Sequence, residues 1–346
     1  MSNESGSVLK CPLGPLIVGI PGSILDDAWR QLLAHRAVGG VILFTRNFES
    51  VDQLKALCRE LRALRDPPLL IQVDQEGGPV QRFRNGFTPL PPVATLGRWY
   101  DSRPDRARDL AYRHGRVMAA EILDVGIDQS LAPVLDLGGV STVIGSRAMS
   151  AHASVVADLG AHYLAGMRDA GMAGCGKHFP GHGSVAADSH DEVVSDPRSR
   201  SEMTEDLAPF SQLVSQLSSI MMAHVIYPAV DSVPAGFSAR WIGDILRGEL
   251  GFMGTIISDD LVMAGAGPGG SVALRLERCL EAGCDLALVC QPDSVRDLLA
   301  GLDSDWPDAG TAIDRLRGRA QFPLVEQLTV PEFQAWRESL GKLSDN

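Results

Sequence analysis

The chain has 346 residues, 45% of them hydrophobic and 21% charged, and its 31 basic against 43 acidic side chains give a formal net charge of −12. A chain of this length buries a large core, and its mean hydropathy of +0.04 is that of a globular protein, which excludes disordered, collagenous and fibrous classes. The acidic balance repels phosphate backbones and anionic lipid, so neither nucleic acid nor a membrane is expected as a partner.

No apolar run approaches the roughly 20 residues that span a bilayer. Residues 1–10 are polar and lack the basic and apolar regions of a secretory signal, so a cytoplasmic protein is expected. The six cysteines are scattered without CxxC spacing and read as reduced core thiols, not as a disulfide framework or a zinc ribbon.

The spacing of apolar residues predicts strands at 16–20 and 38–44, a helix at 51–64, a strand at 69–73 and a helix at 105–123. A strand at 130–135, a helix at 151–169, a strand at 173–178 and a helix at 199–217 follow. The series closes with a strand at 220–226, a helix at 239–250, a strand at 255–258, a helix at 272–282 and a strand at 286–290. Strand and helix alternation on this scale predicts an α/β fold, with a parallel sheet covered by helices. Runs such as Val41-Ile42-Leu43 are apolar on both faces, as such a sheet requires. Eight units favour a (β/α)8 barrel over an open doubly wound sheet. We expect the barrel over residues 10–300 and a helical extension, 301–346, packed on it.

In such a barrel, side chains just past each strand converge on one mouth. Asp74, Gln75 and Glu76 follow the third strand, Asp136 the fourth, Lys177 and His178 end the fifth, His224 lies in the sixth, and Asp259 and Asp260 close the seventh. The densest segment is KHFPGHGSVAADSH (177–190), with His178, His182 and His190 close together. Asp188 and His190 stand two apart, so in extended chain they share a face and make a proton-transfer pair titrating near neutrality. An apolar strand ending in Asp259 and Asp260 supplies a carboxylate that could attack an anomeric carbon. Alternation predicts that only one of the two faces the mouth; the pattern does not say which. Asp74 with Arg82 supplies the acceptor and planar donor that bracket sugar hydroxyls, or else a structural ion pair. Arg147 adds one more cation after the fourth strand.

Two motifs point elsewhere. GAGPGG (265–270) matches the dinucleotide fingerprint GxGxxG, which would imply a nicotinamide oxidoreductase, but Pro268 offers no N–H to a phosphate and the glycines start well beyond the strand. His178, His182, Asp188 and His190 could ligate zinc, but no HxH or HExxH spacing fixes two ligands on one face, and a histidine that transfers protons is not free to ligate. No metal and no cofactor are expected.

KHFPGHGSVAADSH, together with IISDDLVM (256–263), VDQEGGPVQRF (73–83), GGVILFTRNFES (39–50) and AHVIYPAV (223–230), resembles the bacterial β-N-acetylhexosaminidases of glycoside hydrolase family 3, the NagZ type, from about residue 14 to 290. The resemblance implies a (β/α)8 barrel that removes terminal N-acetylglucosamine with retention. It places the nucleophile on Asp259, the general acid/base on His190 with Asp188 behind it, and the sugar on Asp74, Arg82, Arg147, Lys177 and His178. The implied substrate is N-acetylglucosaminyl-1,6-anhydro-N-acetylmuramic acid, with or without peptide, in cytoplasmic recycling of peptidoglycan, and a monomer is expected. The chain departs from the family at Pro79, where Arg is usual, at Ser146, where Asp is usual, and across residues 138–150. Two rival readings share the fold: a phosphorylase, since a neutral histidine does not repel incoming phosphate, and a non-catalytic saccharide-binding barrel.

Overall fold

Eight short strands, buried on both faces, run parallel around the centre of the computed structural model, which describes residues 9–186, 189, 192–303, 305–319 and 330–344. They are β1 (Leu16–Gly19), β2 (Val38–Leu43), β3 (Leu70–Val73), β4 (Gln129–Ser130), β5 (Cys175–Phe179), β6 (Ser219–Met222), β7 (Thr255–Asp260) and β8 (Leu286–Val289). Their order in the sheet is β4-β3-β2-β1-β8-β7-β6-β5. The two ends meet where Val134 bridges Lys177, with the Cys175 N–H donating to Ala132 O at 2.7 Å and the Leu135 N–H to Lys177 O at 2.7 Å. The result is the expected α/β barrel, nearly closed.

Two strands stop well short of their apolar runs, while the others differ by a residue or two at their ends. The fourth was expected over 130–135, but Pro133 has no N–H for a ladder, and regular pairing stops at Ser130. The sixth was expected to run unbroken over 220–226. It leaves the barrel after Met222, and Val225–Ile226 pairs with Val194–Ser195 instead.

The covering helices start and stop where local chemistry directs. Ser50 caps Val51–Ala63 by accepting from the Gln53 N–H, and Ser271 caps Val272–Glu281. Gly171, at φ 95°, ends Ala153–Ala170 in the left-handed conformation open to glycine. The last helix, Pro331–Ser344, lies against Pro104–Asp124: Trp336 meets Tyr112 edge-on, with ring centres 6.1 Å apart, and Phe333 is buried. Among the described residues no helix is long and apolar enough to cross a membrane.

Candidate active site

The carboxyl ends of the barrel strands surround a cavity of about 540 Å³, within the usual range for small-molecule sites. Asp74, Arg82, Arg147, Lys177, His178 and Asp259 all border it. Six residues spread from position 74 to 259 are thus brought to one place, as expected from strand-end placement. Asp188 and His190 lie outside the described residues.

The floor of the cavity is an ion-pair network. Lys177, 2% exposed, has Nζ 2.7 Å from Asp74 Oδ1 and 2.5 Å from Glu76 Oε1. Arg147 grips Glu76 with two parallel bonds, Nε and Nη2 each 2.8 Å from a carboxylate oxygen, the bidentate geometry in which Arg excels. Arg82 Nη2 approaches Asp74 Oδ2 at 3.4 Å. Burial alone would push the Asp74 carboxyl up, yet Lys177 and then Arg82 outweigh it and hold this group well below the usual carboxylate range. Burial likewise opposes charge on Glu76, and Lys177 and Arg147 reverse it. Lys177 is held above its ordinary value by Asp74 and Glu76 against the opposing effect of burial. Asp74, Glu76 and Lys177 stay charged through neutral pH.

The charged side chains come from three strand ends: Asp74, Glu76 and Arg82 from the segment after β3, Arg147 from the one after β4, and Lys177 from β5. Asp74 follows β3 directly, and Gln75–Gly77 forms a small hairpin with Val80–Gln81 that brings Arg82 back beside it. Lys177 sits in β5, and Arg147 in a short 3-10 turn, Gly145–Arg147, within the divergent 138–150 stretch. Glu76, not singled out as a sugar-site residue from the sequence, is the hub of the network. The available signal was its place two residues after Asp74, on the same face of extended chain.

His178 is fixed from behind. Its Nδ1 lies 2.7 Å from Asp136 Oδ2, and the same carboxylate accepts the backbone N–H of His182 at 2.7 Å. His182 turns its Nε2 to Ser189 Oγ at 2.9 Å, and Ser189 O accepts the Gly265 N–H at 2.8 Å. His224, buried, stacks on Phe237 with ring centres 5.3 Å apart and is not part of the cavity wall.

Both Asp259 and Asp260 border the cavity, which corrects the expectation that only one would. The pairing of β7 with β8 slips between Ile257 and Asp260, three residues opposite two, and such a bulge breaks the alternation of faces. Ser258 Oγ seals it, donating to Asp259 O and accepting the Leu288 N–H. The two carboxylates are held differently. Asp260 Oδ1 accepts the N–H groups of Val262 and Cys290, both at 3.1 Å, whereas Asp259 Oδ1 accepts the Asp260 N–H at 2.8 Å.

The adjoining wall carries an element the sequence did not single out. Arg46 donates Nε to Ile20 O and Nη2 to Cys290 O, tying the ends of β1 and β8, and lies over the Phe44 ring 4.5 Å from its centre. Arg82 stacks near the same ring at 5.4 Å. Among the described residues, Asp74, Glu76, Asp259 and Asp260 and Arg46, Arg82, Arg147 and Lys177 line the cavity, four acids and four bases. A balanced set of donors and acceptors suits an uncharged, hydroxyl-rich ligand.

The glycine-rich segment 265–270 is not shaped for a pyrophosphate. It folds as a 3-10 turn, Ala264–Gly269, whose Gly265, Ala266 and Gly270 N–H groups donate to Ser189, Met263 and Gly267 carbonyls. Among the described residues no group of three or more His, Cys, Asp or Glu side chains could hold a metal ion.

The model of the family described as glycosyl hydrolase family 3 N terminal domain matches residues 18–308. A β-hexosaminidase of Alkalilimnicola ehrlichii is 50% identical over 336 residues, 96% of either chain; one of Thiobacillus denitrificans is 51% identical over 322 residues, 91% of this chain and 90% of its own. Among solved structures, NagZ from Neisseria gonorrhoeae in complex with N-trifluoroacetyl-D-glucosamine superposes with a TM-score of 0.91 at 40% identity, covering 97% of this chain and all of that one. A family 3 β-N-acetylglucosaminidase from Paenibacillus sp. str. FPU-7 gives a TM-score of 0.80 at 32% identity, covering 95% of this chain and 67% of that one. With a barrel, a cavity of paired carboxylates and cations, and relatives of this identity along nearly its whole length, the chain belongs to glycoside hydrolase family 3 and is a bacterial β-hexosaminidase of the NagZ-like kind.

Proposed function

We propose that this β-hexosaminidase is a retaining exo-β-N-acetylglucosaminidase that acts on peptidoglycan fragments, removing N-acetylglucosamine from N-acetylglucosaminyl-1,6-anhydro-N-acetylmuramic acid with or without peptide. The observation that carries the reading is the Asp259 carboxylate on the rim of a cavity whose floor is the Asp74, Glu76, Lys177 and Arg147 network. Asp74, Arg82, Arg147, Lys177 and His178 hold the hydroxyls of the terminal sugar, each of which both donates and accepts. Asp259 attacks the anomeric carbon as the bond to the leaving oxygen breaks, and a glycosyl-aspartate ester forms. His190, oriented by Asp188, gives its proton to the leaving oxygen and then takes one from the water that opens the ester. Two inversions at the same carbon give net retention. Gonococcal NagZ, solved with an N-acylated glucosamine, supports the sugar class. The reading places the enzyme in cytoplasmic cell wall recycling, acting as a monomer.

The test is turnover of the purified anhydro-disaccharide with and without inorganic phosphate. Free N-acetylglucosamine in both is expected. Its 1-phosphate in the second would make the enzyme a phosphorylase, and tight binding without turnover would make it a saccharide-binding barrel.

A further inference from the structure

The hairpin that carries Asp74, Glu76 and Arg82 is supported from below by buried polar contacts. Gln81 donates Nε2 to Thr88 O at 2.9 Å and accepts the Leu90 N–H at 3.0 Å. The Gly78 N–H donates to Leu90 O at 2.8 Å. Gly77, at φ 97°, sits so close to this segment that a Cβ there would stand 2.7 Å from Pro91 O. The position of residues 88–92 is therefore transmitted to the sugar-binding hairpin with little slack.

Residues 88–92 are held in turn by one face of the Pro104–Asp124 helix. His114 and Glu121, seven residues apart and so two turns along the same face, both reach this segment. His114 Nε2 lies 3.0 Å from Pro91 O, and burial pushes its pKa down to about 4, so the ring is neutral and donates this proton. Glu121, 7% exposed, uses both oxygens: Oε2 accepts the Thr88 N–H at 2.9 Å and Oε1 accepts the Thr88 hydroxyl at 2.6 Å. The C-terminal helix completes the assembly. Arg337 Nε lies 2.7 Å from Glu121 Oε1 and donates to Thr88 Oγ1 at 2.9 Å. A carboxylate buried in a substrate-distant helix is costly unless paired, and here its partners lead, bond by bond, to the active site.

We propose that Glu121, with Arg337 of the C-terminal helix, is a positioning residue for sugar binding, acting through Thr88 and Gln81 on the hairpin of Asp74, Glu76 and Arg82; this rests on reading that hairpin as the sugar site. In Glu121→Gln one carboxylate oxygen becomes an NH2. Either the Thr88 N–H or the Thr88 hydroxyl and Arg337 then meet a donor in place of an acceptor, and residues 88–92 move.

The experiment measures the inhibition constant of N-acetylglucosamine, KM and kcat on a nitrophenyl glycoside, and Tm, for the wild type, E121Q, R337Q, R337K and D74N. E121Q is expected to raise the inhibition constant and KM about tenfold with a smaller change in kcat, since weakening one hydrogen bond from a charged group to the sugar costs about a factor of ten in affinity. R337Q should shift both in the same direction, and R337K should recover most of the loss. A lower Tm for E121Q and R337Q with the inhibition constant and KM unchanged would reduce the contact to a stabilising one and overturn the proposal. If E121Q does not fold, R337Q against R337K decides the same question. The D74N arm separates the two readings: if D74N also leaves the inhibition constant unchanged, the sugar-site assignment fails, not the support from Glu121.

Discussion

Asp136 Oδ2 lies 2.7 Å from His178 Nδ1, and the same carboxylate also accepts the backbone N–H groups of His178 and His182. One buried acid therefore sets the tautomer of a cavity histidine and pins the backbone of both His178 and His182. Burial raises the pKa of Asp136, but His178 outweighs it, so the group sits below its ordinary value. A depressed folded pKa means that this contribution to stability is complete above the unfolded value of about 3.9 and is lost as pH falls through the folded value. Asp136→Asn should lower stability at neutral pH by about 1–3 kcal/mol and flatten the acid limb of Tm against pH. Parallel curves for the two proteins between pH 7 and pH 2.5 would contradict this.

Glu76 joins Arg147 and Lys177 on two sides. Removing its charge takes the carboxylate from buried Arg147 and leaves Lys177 with Asp74 alone, and breaking such a buried pair costs about 3–5 kcal/mol. On the proposed reading, in which these cations hold sugar hydroxyls and take no part in the bond changes, Glu76→Gln should lower Tm and raise KM more than it lowers kcat. Steady-state kinetics with thermal melts check it; a fall in kcat at constant KM would assign Glu76 to the reaction itself.

His190→Ala tests the acid/base assignment through leaving groups. A sugar alkoxide needs a proton in the transition state and a nitrophenolate hardly does, so turnover of the disaccharide should fall by about 10²–10⁴, with a much smaller loss in glycosylation by the nitrophenyl glycoside. The nitrophenyl substrate should show a burst, since breakdown of the ester also needs the base. His182→Ala, whose ring is bonded to Ser189, should show no dependence on leaving group. Equal losses on both substrates without a burst in rapid mixing would remove His190 from proton transfer.

Asp260 is engaged by the Val262 and Cys290 N–H groups, so Asp260→Asn, which keeps an oxygen there, should leave kcat within about tenfold. Asp259→Asn should abolish turnover with sugar binding retained. Reversed effects on kcat would exchange the two roles.

The barrel was legible because its strands are apolar on both faces and spaced by helix-length segments, a pattern that little but a covered parallel sheet produces. Where reading failed, the cause lies in contacts distant in sequence or in backbone irregularity. Period two could not show that β7 slips against β8 at Ser258 and Asp259, so both aspartates reach the cavity. The strand-four run looked continuous because side-chain pattern is blind to the missing N–H of Pro133. Asp74, Arg82, Lys177 and His178 stood out by motif, but the centrality of Glu76 depends on Arg147, 71 positions away, and the clamp by Arg46 depends on Cys290, 244 positions away. Neither is visible in a local window.

The central claim is a covalent bond between Asp259 and the anomeric carbon. A fluorinated N-acetylglucosaminyl fluoride, whose ester breaks down slowly, should accumulate on the enzyme, and mass spectrometry of the peptic peptide spanning IISDDLVM (256–263) locates it. The account predicts one sugar equivalent on Asp259, absent from Asp259→Asn. A label on Asp260 or Asp74, or turnover through no covalent species at all, would contradict it.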